Sequence, residues 1–265
     1  MEINRGTIED VAAAADLLVG MYICSNTDLS GTGASILAQR HYQLVSKRFP
    51  IMDAGAALNC KIASGASKAT LTIEYLNFGC AAVRVRGSDV EEVVGAVDRL
   101  LDSWRSASMA TVLNTSVSTL TASFVCYKGA DGTFEMIIIP RTSTRMTRES
   151  LHCIKSEFVG ILEMAGYAIL PKRLKTELAA LLLEGAPPIG ELASFAPWMK
   201  EFGVATDVSA AVGAGANIDR LVASPEVNAA LNAAFHAIIE DNSGFPSMDL
   251  VTAAAWLYGA GITRC

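Results

Sequence analysis

Between Ser25 and Pro50 the chain reads SNTDLSGTGASILAQRHYQLVSKRFP, a small-residue loop running straight into a polar stretch that carries a histidine. Gly31 and Gly33, set among Ser30, Thr32 and Ser35, let the backbone turn sharply and bring N–H groups to a point, the chemistry that cradles a phosphate. Gln39-Arg40-His41-Tyr42-Gln43-Leu44 follows. If it is extended, Gln39, His41 and Gln43 project to one side and Arg40, Tyr42 and Leu44 to the other. An imidazole in the centre of that row is a nucleophile for phosphorus once a neighbour fixes its tautomer. The flanking amides can hydrogen-bond phosphoryl oxygens but cannot give up a proton near neutral pH. Arg40, Lys47 and Arg48 can neutralise phosphate charge, although Arg40 faces away from His41 on a regular strand. The competing reading is a histidine satisfied inside a strand wall. The glycines do not make a dinucleotide fingerprint, since Gly31-Thr32-Gly33 lacks a third glycine and no βαβ unit surrounds it.

The run Gly33-Ala34-Ser35, a three-residue gap, then Gln39-x-His41-x-Gln43 resembles the Gly-x-Ser…His-x-His-x-Gln signature of the histidine-triad superfamily, in particular its galactose-1-phosphate uridylyltransferase and GDP-hexose phosphorylase branch. Phe49-Pro50-Ile51 falls where that branch has a Phe-Pro-Ile/Val segment. Val112-Leu113-Asn114 and the runs Phe124 to Tyr127 and Phe134 to Arg141 resemble the branch's second half, an apolar hairpin ending in Pro-Arg. The first motif histidine of the family is Gln39 here. The chain also begins close ahead of the motif, where the branch places strands that hold base and ribose, so the expectation is an incomplete copy of that pocket.

The resemblance implies nucleotidyl transfer from a nucleoside diphosphate sugar or dinucleotide. His41 is then the covalent nucleophile, with Gln43 and Gln39 beside it. Gly31, Gly33, Ser35, Arg40 and Arg141 are the expected substrate and phosphate contacts. The alternative, motivated by Gln39, is a nucleotide- or phosphate-binding regulatory subunit without chemistry.

At 265 residues and 51% hydrophobic, the chain has ample core material. Charged residues make up only 18%, which implies apolar surface for a homo-oligomer to cover. A net charge of −6 excludes nucleic-acid binding by bulk attraction. No metal site or cofactor is expected: Cys24, Cys60, Cys80, Cys126, Cys153 and Cys265 form no Cys-x-x-Cys pair. They read as reduced thiols of a cytoplasmic protein without signal peptide or membrane span. The expected partner is a small nucleotide or sugar phosphate.

The elements that must position this chemistry give an α+β class: antiparallel sheet with packed helices over 1–170 and a helical C-terminal layer over 171–265. Thr7 to Gly20 predicts a helix and Met21 to Cys24 a buried strand leading into the glycine loop. Asp53 to Leu58 reads as loop or single turn. Thr70 to Tyr75 and Cys80 to Arg86 read as strands. Ser88-Asp89-Val90-Glu91 reads as a capping box that opens a helix to about Ser106. Thr119 to Tyr127 and Thr133 to Pro140 make a hairpin turned at Asp131-Gly132. Thr147 to Ser156 reads as a short helix, and Phe158 to Leu170 fits helix or strand equally. Helical patterns cover Leu174 to Leu183, Glu191 to Phe202 and Pro225 to Asp241. His152 and His236 read as helix-face residues, and Trp104, Trp198 and Trp256 as core.

Overall fold

The computed structural model describes residues 2–34, 36–62, 71–184, 190–204 and 217–264. Their strands are β1 Tyr22–Ser25, β2 Gln43–Val45, β3 Ala56–Ile62, β4 Thr72–Leu76, β5 Val83–Gly87, β6 Leu120–Lys128, β7 Phe134–Thr142 and β8 Ile262–Arg264. The α-helices are α1 Arg5–Leu17, α2 Val90–Trp104, α3 Ala107–Val112, α4 Ile161–Met164, α5 Arg173–Leu182, α6 Phe195–Glu201, α7 Ile218–Ala223, α8 Pro225–Asp241 and α9 Leu250–Gly259. The class is α+β, as expected. Two compact units divide the chain: Met1–Met146, Phe158–Tyr167 and Asn242–Cys265 form one, Thr147–Glu157 with Ala168–Asp241 the other. That division departs from the boundary at 170, because α9 and β8 return to the first unit.

All strands of the first unit lie in one antiparallel sheet, ordered β2-β1-β6-β7-β5-β4-β3-β8. Its two faces follow from the period of two along each strand. Ile23, Cys126, Met136, Val85, Ile73 and Cys60 pair in succession across the sheet and are all buried in one core. The apolar stripe of α2, Val93, Val97, Leu100 and Trp104 at helical spacing, belongs to the same core. Asp89, rather than Ser88, caps α2, accepting from the N–H groups of Glu91 (2.9 Å) and Glu92 (3.3 Å). Trp104 is fully buried; its indole N–H donates to the Thr121 carbonyl at 2.8 Å, and its ring meets Trp256 edge-on at 5.9 Å.

The hairpin forms as read, with Gly132 at φ 83° and the Asp131 carboxylate accepting from Thr133 N at 3.0 Å. On the face away from this core, Arg84 is nearly buried, donating to Glu74 (2.8 Å) and to the carbonyls of Met52 (3.1 Å) and Ala54 (3.0 Å). Every arm of that guanidinium is therefore satisfied within the fold.

Four expectations are corrected. Residues 56–58 belong to β3, paired with β4 through a bulge between Ala56 and Leu58, so the local turn chemistry that suggested a loop gives way to tertiary pairing. Cys60 is disulfide-bonded, against the expectation of six reduced thiols, because spacing along the chain does not report which strands meet. Cys24, Cys80, Cys126 and Cys153 are free and buried. Residues 158–170 are mostly irregular, with one turn of helix at α4, and 147–156 hold only a 3-10 turn, Glu149–Leu151.

The second unit is helical. Arg148 clasps the end of α8, donating from its main-chain N–H and from Nε and Nη2 to Asp241 at 2.7–3.0 Å. His152 contacts the Thr147 carbonyl at 3.0 Å, and its own carbonyl accepts from Arg173. His236 is exposed on α8. Gly213 to Ala216 lie outside the described residues.

Candidate active site

The chain leaves β1 at Ser25, makes the glycine loop, and returns as β2 on the sheet edge. Within the loop, the Thr27 and Thr32 hydroxyls meet at 2.6 Å, and Thr32 also donates to the Leu29 carbonyl at 2.7 Å. Gly31 and Gly33 both take left-handed backbone, φ 85° and 88°, a conformation that costs other residues energy. Ser35 lies outside the described residues. Asp28 pins the loop to the sheet: its carboxylate accepts from Thr121 Oγ1 at 2.5 Å, Ile3 N at 2.8 Å and Arg105 Nη2 at 2.9 Å. Replacing Asp28 with Asn removes the charge that Arg105 faces in a side chain only 5% exposed. Thermal or urea unfolding should show a loss of about 1–2 kcal/mol, with the loop's amide protection falling first.

Only Gln43–Val45 pairs with β1, Gln43 opposite Cys24, so the extended stretch expected over 39–44 is in the sheet only at its end. Gln39 sits in a bend and is exposed. The alternation of faces nevertheless holds at the residues whose contacts define it. Tyr42 donates to Asp10 of α1 at 2.6 Å, and Arg40 reaches both Asp10 (3.2 Å) and Asn4 (3.0 Å). Burial and the bond to Asp10 both push the Tyr42 phenol pKa up. Arg40 is thus bound to the helix side, away from Gln43, where the Asp10 carboxylate of α1 supplies its anionic partner. Gln43 shares the other face with Cys24, and its side-chain oxygen is buried with no protein hydrogen-bond partner.

His41 is partly exposed, and its Nδ1 lies 3.3 Å from the Gln39 carbonyl oxygen. A carbonyl only accepts, so Nδ1 carries the proton in that contact and the lone pair is on Nε2. The tautomer-fixing neighbour is therefore the main chain of Gln39, which any residue there supplies.

Arg141 ends the hairpin wholly buried. It donates from Nη2 to the Val159 carbonyl at 3.1 Å, while Nε and Nη1 have no protein acceptor. Burial lowers its pKa to about 10, partly opposed by Cys80 and Glu163, so it is a cation at neutral pH. The glycine loop reaches the same peptide: a Cβ on Gly33 would stand 2.6 Å from the Val159 oxygen and 2.5 Å from Gly160 Cα. Asn26, 5% exposed, accepts from Ile161 N at 2.7 Å, and Glu163 accepts from Gly160 N at 3.1 Å. The glycine loop and Arg141 thus converge on residues 159–163. Asn26 and Ser123 carry little signal in the sequence: Ser123 is one of two short hydroxyl side chains in a mostly apolar strand.

Among the described residues no group of three His, Cys, Asp or Glu could hold a metal ion, and no helix is long and apolar enough to cross a membrane.

The chain is similar to galactose-1-phosphate uridylyltransferases. That of Clostridium perfringens (strain SM101 / Type A) is 29% identical over 190 residues, 67% of this chain and 38% of the relative. The Streptococcus salivarius enzyme is 30% identical over 193 residues with the same coverage. The Lactococcus lactis enzyme is 27% identical over 220 residues, 76% of this chain and 43% of the relative. The chain therefore spans about two fifths of the length of these relatives. No family model and no solved structure matches.

Proposed function

From this chain's homology to the galactose-1-phosphate uridylyltransferases of the histidine-triad superfamily, we propose that it is a nucleotidyltransferase acting on a nucleotide sugar, with His41 as the nucleophile. The observation that carries the assignment is the contact of His41 Nδ1 with the Gln39 carbonyl, which leaves Nε2 as the nucleophilic atom of a partly exposed ring.

In the first step the Nε2 lone pair forms a bond to the α-phosphorus, and the bond from that phosphorus to the bridging oxygen breaks. The sugar 1-phosphate leaves with the electron pair. A phosphate leaving group needs no proton near neutral pH, so an amide at position 39 in place of an imidazole does not stop the step. The Nδ1 proton stays on the ring, shared with the Gln39 carbonyl, and spreads the positive charge. In the second step a phosphate oxygen of the acceptor attacks the same phosphorus and Nε2 recovers its lone pair. Gln43 donates its amide N–H to a non-bridging oxygen, and the glycine loop adds backbone N–H groups. Splitting the transfer into two displacements is the usual gain of covalent catalysis.

The names of the relatives favour uridylyl and galactose 1-phosphate as donor group and acceptor. The test is exchange: the chain is incubated with UDP-glucose and labelled galactose 1-phosphate, and label is followed into UDP-galactose. Two-displacement kinetics, with parallel double-reciprocal lines, is the expected result. Tight nucleotide binding without exchange would favour the non-catalytic subunit instead.

A further inference from the structure

The sheet face that carries Gln43 also carries a ladder of charged side chains toward the hairpin turn. Glu74, Arg84 and Ile137 pair in succession across β4, β5 and β7, and Arg86, Glu135 and Tyr127 across β5, β7 and β6. Glu74 Oε2 accepts from Arg84 Nε at 2.8 Å and from Arg86 Nη1 at 3.5 Å, and Glu135 Oε2 accepts from Arg86 Nε at 2.9 Å. Arg84 gives its other arms to the carbonyls of Met52 and Ala54. Both guanidinium groups are thus held within the fold.

The second oxygen of Glu135 is not. The residue is 8% exposed, and its Oε1 is buried with no hydrogen-bond partner in the protein. Arg84 Nη1 faces it at 3.7 Å, beyond hydrogen-bond reach, and already donates to the Met52 carbonyl. A carboxylate only accepts, so what is missing is a donor, and a buried carboxylate oxygen without one is costly.

Glu135 lines a hollow of about 400 Å³ together with Arg86, Tyr127, Asp131 and Thr133. The hairpin turn builds the outer wall: Gly129 N donates to the Thr133 carbonyl at 2.9 Å, and the Asp131 carboxylate accepts from Thr133 N at 3.0 Å. Only glycine leaves room for that carboxylate, since a Cβ on Gly129 would stand 2.6 Å from Asp131 Oδ1. Glu74, Glu135 and Asp131 set three negative charges against the two positive charges of Arg84 and Arg86, so one negative charge is left over. The hollow lies away from the candidate active site. Tyr127 pairs with Tyr22 at the start of β1, whereas the glycine loop leaves β1 from its other end at Ser25.

We propose that this hollow binds a small organic amine as its ammonium ion, which donates to Glu135 and to the Asp131 carboxylate. An ammonium group brings donors only and carries the one positive charge that the ladder lacks. The Tyr127 ring, stacked on Tyr22 at 4.7 Å, adds a π-system that attracts a cation. A neutral polyol could donate to the same oxygen but would leave the charge uncompensated. The proposal uses no residue of the nucleotidyl-transfer reading and stands or falls apart from it.

Putrescine and its neutral counterpart butanediol, titrated separately into the full chain, test it, with the amide signals of Gly129, Ala130 and Thr133 followed by NMR. Saturable shifts are expected with putrescine and none with butanediol. Glu135→Gln should raise the Kd for putrescine at least roughly 10-fold, the worth of one hydrogen bond to a charged group. Asp131→Asn keeps an oxygen to accept from Thr133 N, so it should fold as the parent does, and its Kd should rise roughly 2- to 5-fold, as for an exposed ion pair. Glu74→Gln takes a carboxylate from the same ladder without touching the hollow, and should cost stability with far less effect on affinity. No saturable shift with putrescine, equal shifts with butanediol, an unchanged Kd in Asp131→Asn, or equal losses of affinity in Glu74→Gln and Glu135→Gln would each show the ladder to be structural and overturn the proposal.

Discussion

His41→Ala is expected to abolish nucleotide exchange, lowering kcat by on the order of 10⁴-fold or more, because the proposed covalent route has no other atom to replace Nε2. The loss should be in kcat rather than in nucleotide affinity, since the phosphate contacts proposed for Gln43 and the loop amides are untouched. Stability should barely change: the ring is partly exposed and makes its one resolved contact with the Gln39 carbonyl at 3.3 Å. His41→Gln separates the nucleophile from its shape, keeping a polar side chain of similar reach, and should be equally inactive. Equal unfolding midpoints together with unaltered Kd for a nucleotide sugar would establish that only chemistry was removed. Exchange persisting in either variant at more than a few per cent of the parent rate would place the nucleophile elsewhere.

The second large effect is expected from Gly33→Ala. The new methyl carbon would sit 2.5 Å from Gly160 Cα and 2.6 Å from the Val159 carbonyl oxygen, and the backbone there has φ 88°. Neither neighbour is a side chain that can swing aside. The left-handed conformation alone costs a non-glycine residue about 1–2 kcal/mol, and the backbone contact adds to it, so at least about 2–3 kcal/mol of stability should be lost. Gly31→Ala is the internal control: its φ is 85°, yet the nearest group to an added Cβ is the Phe158 ring at 3.9 Å. It should lose only the conformational part. Urea unfolding of both variants measures the difference, and exchange activity should fall further in Gly33→Ala, because displacing residues 159–160 also moves the carbonyl that holds Arg141. Equal destabilisation in the two variants would show that the glycine loop does not rest on residue 159.

Much of this was legible in the chain because it is local. The limits of α8 follow from Pro225 at the first helical position and a continuous apolar stripe. The hairpin follows from Asp131-Gly132 between two largely apolar runs. The opposed facing of Arg40 and Gln43 follows from strand alternation, and the structure adds the partners that hold Arg40, namely Asp10 on α1 and Asn4 at its N-cap. What escaped is what depends on distant partners. The segment around Leu58 looked like a turn because its pairing with β4 is a tertiary fact. The last helix, α9, carries the run Thr252-Ala-Ala-Ala, which gives no sharp stripe, and the three residues of β8 are strand only because β3 lies beside them. Asp28 looked like one more small polar loop residue, and its grip on Arg105, Ile3 and Thr121 spans positions up to 93 apart. Ser123 stands out only when one asks which buried polar groups lack a partner.

The family resemblance pointed to the histidine at position 41 and left position 39 as a departure. For the proposed transfer the departure is small. The Gln39 side chain is exposed, its carbonyl orients the imidazole, and a phosphate leaving group needs no acid. The prediction is that Gln39→Ala retains at least about a third of the parent exchange rate, because the carbonyl persists.

The most direct measurement is to incubate the full chain with UDP-glucose without acceptor, digest it at alkaline pH where phosphorus–nitrogen bonds survive, and map the modified peptide by mass spectrometry. The uridylyl group is expected on His41, to be lost on brief acid treatment and discharged by galactose 1-phosphate. A uridylyl group carried by any other residue, or a chain that binds the nucleotide sugar and never becomes modified, would contradict the account.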